Sequence, residues 1–85
     1  MIHFTKHALE KFEILKRHGL NISREKVAET AENPEFIDYS RQPLKIAERA
    51  LDKTHVLRVV FKEEGEIKTI ITFYPGRKSQ YEKRK

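Results

Sequence analysis

Scattered along this chain are side chains of the kinds that break an RNA phosphodiester bond without a metal. In that reaction the ribose 2′-hydroxyl attacks the adjacent phosphorus. A base takes its proton, an acid protonates the leaving 5′-oxygen, and cations balance the equatorial oxygens. His7 is a candidate for the acid/base role, with a helix-surface histidine as the plainer reading. Arg58 alternates with apolar residues and is a candidate for charge stabilisation, against an outward-facing, solvated arginine. Arg49 is a weaker case of the same kind. Tyr74 is either a base-contacting ring or a core-edge aromatic. Arg77, Lys78, Tyr81, Lys83, Arg84 and Lys85 make a cationic arm with one interleaved aromatic, a pattern that suits phosphate contacts and base stacking as well as a frayed, solvated tail. His55 reads as a turn-edge residue rather than a catalyst.

Composition removes other classes of chemistry. There is no cysteine, hence no disulfide staple, thiolate metal site or Cys nucleophile. With three glycines in the whole chain, a Gly-rich phosphate loop is excluded. His3 and His7 are four apart, but no acid completes a metal set, and no metal or other cofactor is expected. The net charge is +5 and the pI near 9.6, which points to a polyanion or an acidic protein as partner. The charge is uneven: Glu25, Glu29, Glu32, Glu35 and Asp38 cluster in one stretch, and cations dominate from residue 77 onward. No apolar run approaches the roughly 20 residues of a membrane span, and no signal-peptide pattern opens the chain. A soluble, cytoplasmic protein with no membrane partner is expected. The 85 residues are expected to form one domain with a small core.

The elements that must position these residues follow from period and punctuation. Residues 1–4 suit a short edge strand or lead-in. Thr5 is a helix N-cap; Ala8, Leu9, Phe12 and Leu15 share one helical face; Gly19 suits the position after the helix end. Ser23 caps a second helix, which Asn33-Pro34 stops, so an αα-hairpin is expected. Residues 35–40, 44–51 and 55–63 then read as strands separated by turns at 41–43 and 52–54, and Glu64-Gly65 turns the chain into the last one. That final strand holds Ile67, Ile70, Ile71 and Phe73, and Tyr74-Pro75-Gly76 is expected to end it. The predicted order is β-α-α-β-β-β-β, an α+β domain with an αα-hairpin on a mainly antiparallel twisted sheet.

Three segments together, FTKHALEKF, ISREKVAETAENPEFI and IITFYPGRKSQYEK, resemble a small-domain family within the RelE/ParE-like toxin superfamily. Members open an N-terminal helix with a His-Ala pair and close the last strand with Tyr-Pro, then Arg/Lys and Tyr-Glu. The similarity runs over nearly the whole chain through short, degenerate motifs, and departs from the family at Lys11, where arginine is common. It implies the RelE-like fold (barnase–EndoU–colicin–RelE type). It also implies a toxin of a toxin–antitoxin system that cuts RNA, ribosome-bound mRNA included, and is held inactive by a cognate antitoxin. By matching position it makes His7 the acid/base group, Arg77 and Tyr81 the phosphate and base contacts, and Tyr74 the strand-closing aromatic. Two other functions stay open: a non-catalytic module of the same fold that binds nucleic acid or antitoxin, and a ParE-like gyrase inhibitor.

Overall fold

Gly19 and Thr5 bracket the first helix as local chemistry demands. The structure, a computed structural model, describes residues 1–81. Helix α1 spans Lys6–Arg17, and the Thr5 hydroxyl accepts from the Ala8 amide at 3.1 Å. Past its end Gly19 takes φ +80°, which lets the amides of Gly19 and Leu20 reach back to the carbonyls of Lys16 and Leu15. Helix α2 spans Arg24–Glu32, capped by the Ser23 hydroxyl on the Lys26 amide at 3.1 Å. Inside it, the Thr30 hydroxyl donates to the Lys26 carbonyl, so this fully buried polar group is satisfied.

The strands are β1 (Ile2–Phe4), β2 (Phe36–Asp38), β3 (Lys45–Ala50), β4 (His55–Glu64) and β5 (Ile67–Arg77). They form one five-stranded sheet in the order β1-β5-β4-β3-β2. Every pairing is antiparallel except β1 with β5, which is parallel and sets Ile2 opposite Lys68. The domain is therefore α+β with a mixed sheet. Gly65, at φ +60°, opens the tight β4–β5 turn.

Two features of β5 depart from the expected strand. It does not stop at Tyr74-Pro75-Gly76: Pro75 lies opposite Leu57, Gly76 opposite Val56 and Arg77 opposite His55. Among the described residues β1 pairs only with Lys68–Ile70, so further along β5 is an edge strand, where a proline is tolerated. A short helix, α3 (Lys78–Tyr81), follows directly. Second, Val60 pairs with Thr72 but Phe61 pairs with Ile70, leaving Ile71 as an extra residue. Its carbonyl accepts from the Thr5 hydroxyl at 3.3 Å, and the Ile70 carbonyl accepts from the Thr5 amide at 3.1 Å. Thr5 thus caps α1 and ties its start to β5.

Both long helices lie on one face of the sheet, α1 over β5 and β1, α2 over β4 and β3. The core between them is Ala8, Val27 and Ala31 against Ala47, Leu57, Val59, Phe61, Ile70 and Phe73. Phe12 joins it, its ring 4.5 Å from that of Phe73. Lys68 belongs to this face too: its Nζ caps the end of α2 at the Ala31 carbonyl, 2.8 Å away, and lies 5.4 Å from the Phe61 ring centre. Alternation then puts Ile46, Glu48, Arg58, Val60 and Tyr74 on the opposite face, which carries neither long helix.

Candidate nucleic-acid interface

Arg58 is not the solvated arginine that its alternating pattern also allows. The residue is 6% exposed. Its Nη2 donates to Asp38 at 2.8 Å, and its Nε lies 3.0 Å from a Glu48 carboxylate oxygen. Cross-strand register produces this group: Glu48 faces Arg58 from β3, and β2 adds Asp38. The guanidinium also lies 5.6 Å from the ring centre of Tyr74, its partner on β5. Together they border a cavity of about 300 Å³ on the helix-free face, with Leu44, Ile46 and Val60 as apolar lining and Arg41 at the exposed rim. Asp38 and Glu48 balance Arg58 and Arg41 in charge, so this cavity offers no excess of cation to a phosphate.

Arg49 is engaged on the other face. Its Nη1 donates to the Asn33 carbonyl at 2.6 Å, and its Nε lies 3.8 Å from Glu29, so it fastens β3 to the end of α2. His7 is exposed in the first turn of α1. Its neighbour Thr5 is anchored at Ile70 and Ile71, and from Ile71 to Arg77 the strand runs six residues. At about 3.3 Å per residue that is roughly 20 Å. His7, Arg58 and Arg77 are not brought together. His7 starts a helix near the β1 edge, Arg58 is on the helix-free face, and Arg77 is at the far end of β5 on the helix-bearing side of the pleat.

What the fold does gather lies at the β3–β4 turn. Asp52 folds its carboxylate back over the turn and accepts from the amides of Thr54 and His55, each at 2.8 Å. The same oxygen is 3.2 Å from the Thr54 hydroxyl and 3.1 Å from His55 Nδ1. The Thr54 and His55 contacts hold the Asp52 carboxyl down, from the ordinary 3.8 to about 2. Arg77 is the cross-strand partner of His55, and the Lys78 amide donates to the Thr54 carbonyl at 2.8 Å. Lys53 sits in the same turn. The backbone thus brings the positions of three cations, Lys53, Arg77 and Lys78, to the turn that holds Asp52 and an imidazole that is 40% exposed.

Tyr81 closes the single turn of α3, which places its backbone near this end; its side chain, like Lys83, Arg84 and Lys85, lies outside the described residues. Residue types alone did not single out His55, because a histidine opening a strand after a turn is usually just that. The available signal was the run Asp52-Lys53-Thr54-His55, in which an Asp-headed turn brings the first side chain back onto the fourth residue. Among the described residues no group of three or more His, Asp or Glu side chains is gathered as metal ligands would be, and no helix is long and apolar enough to cross a membrane. Compared with family models, with curated proteins and with solved structures, the chain matches none.

Proposed function

We propose that this protein is a toxin of RelE-like fold that binds RNA and cuts it by 2′-hydroxyl attack, with a cognate antitoxin as its protein partner in the cytoplasm. The observation that carries the reading is the pinned cationic end of the sheet. β5 continues through Pro75 and Gly76, so Arg77 is held in register with His55 and Lys78 is bonded to the β3–β4 turn. The basic segment thus starts from a fixed place, as a phosphate-binding surface requires. Arg77 and Lys78 contact the phosphate backbone, Tyr81 stacks on a base, and the cations following in the sequence add attraction. Support for cleavage comes from the likeness of the HAL, YPGR and QYE segments to RelE-like toxins.

A second reading, a binding module that cuts nothing, is favoured by two placements: Arg58 is neutralised by acids, and His7 starts its helix far from Arg77. One experiment separates them. The purified chain is incubated with single-stranded RNA in EDTA, free and on ribosomes. Fragments ending in a 2′,3′-cyclic phosphate, lost on Arg77→Ala, are expected. A salt-sensitive gel shift without fragments would leave the binding module, and supercoiling inhibition without either would leave a gyrase inhibitor.

A further inference from the structure

We infer that His55, oriented by Asp52, is the acid/base group of this protein, and that the scissile phosphate sits between His55 and the Arg77–Lys78 end of β5. The inference rests on the reading of the chain as a ribonuclease, and it moves the chemistry from the start of α1 to the β3–β4 turn.

The geometry has separate parts that agree. A carboxylate can only accept, so Asp52 Oδ1 at 3.1 Å from Nδ1 selects the imidazole form that carries its proton there. In the neutral ring that leaves the lone pair on Nε2. The Thr54 hydroxyl, 2.8 Å from Nδ1 and 3.2 Å from the same carboxylate oxygen, fixes the ring from the same side. Asp52 is itself held by the Thr54 and His55 amides, so it is a fixed positioning group. Its carboxyl pKa, held down to about 2 by the Thr54 and His55 contacts, keeps it ionised at any pH where a histidine works. The ring is 40% exposed, enough for a polymer to reach it. Directly opposite residues of an antiparallel pair point to the same side, with Cβ atoms about 5 Å apart, so Arg77 stands beside His55 at the distance a phosphate would bridge.

Nε2 takes the 2′-hydroxyl proton as O2′ bonds to phosphorus. The bond from phosphorus to O5′ breaks, and Arg77 and Lys78 balance the equatorial oxygens. O5′ takes a proton from solvent water, and the proton on Nε2 neutralises the hydroxide left behind. The products are a 2′,3′-cyclic phosphate and a 5′-hydroxyl, with no oxidant or co-reactant.

The test uses the full chain and a mixed-sequence single-stranded RNA in EDTA, supplied free and on ribosomes. His55→Gln is expected to slow cleavage about 100-fold or more, with melting temperature kept, and His55→Gly to recover with added imidazole. Asp52→Asn is expected to lower kcat with KM unchanged, and Asp52→Glu to restore part of it. His3→Ala, on the helix-free side of the sheet, is expected to cut normally. If the wild type cuts and His55→Gln cuts equally well, the His55 assignment is overturned while the ribonuclease reading stands; loss in His7→Ala instead has the same meaning. If the wild type cuts in neither form, the ribonuclease reading falls and the catalytic role with it. A second measurement needs no variant to fold: titrating wild type with an uncleavable DNA–RNA analogue of that oligonucleotide should move the imidazole resonances of His55. Unmoved resonances with the analogue bound would overturn the site.

Discussion

At Arg58 three charges meet with little water. The Arg58, Asp38 and Glu48 side chains are 8%, 18% and 5% exposed. Each ion pays for leaving water, and the mutual attraction offsets that only while the set is complete. Replacing Arg58 by Met therefore leaves two carboxylates facing each other without their cation. The expected cost is about 3–5 kcal/mol in urea unfolding, and adding Asp38→Asn with Glu48→Gln should recover most of it. A loss of activity in Arg58→Met would then report stability rather than chemistry. The alternation around Arg58 was legible in the sequence and correctly set it apart from Leu57 and Val59. What alternation lacks is the identity of the strand alongside. Only the β3 register brings Glu48 opposite, and only β2 adds Asp38. The same gap hid the pairing of His55 with Arg77, residues that are neighbours through register alone.

Elements whose signals are local were legible almost to the residue. Thr5, Gly19 and Ser23 mark helix ends through hydrogen bonds within a few residues, and all three behave as their chemistry suggests. Gly19 makes this testable. At φ +80° a side chain is strained although nothing lies within 4 Å of the added Cβ, so the penalty is backbone alone. Gly19→Ala should cost about 1–2 kcal/mol in a urea melt, and Gly19→Asn less, since Asn visits this region more readily. The end of β5 was misjudged for the complementary reason. Proline stops a central strand, and whether a strand is central depends on how far its neighbour extends. β1 ends at Phe4, so the strand carrying Pro75 has lost its outer partner by that point. The chain used this freedom to carry Arg77 to the β3–β4 turn.

Charge is the property that belongs to the molecule as a whole. The acids of α2 and the strand after it lie beside β3 and β4, while the cations of residues 77–78 leave from the end of β5. A single-stranded RNA held at that end should bind with strong salt dependence. Each phosphate contact contributes about −0.7 to the slope of log K against log salt, so Arg77→Gln should flatten the slope by roughly that amount in fluorescence titrations. A flat profile in the wild type would remove the electrostatic interface. The parallel pairing of β1 with β5 has a different kind of consequence. Thr5 and Ile71, which join the first helix to the last strand, are 66 residues apart. At a synthesis rate of about 5–20 residues per second, the opening strand waits roughly 3–13 s for its partner to be made. Until β5 has been made, α1 has no strand to tether it and the sheet has no place for β1.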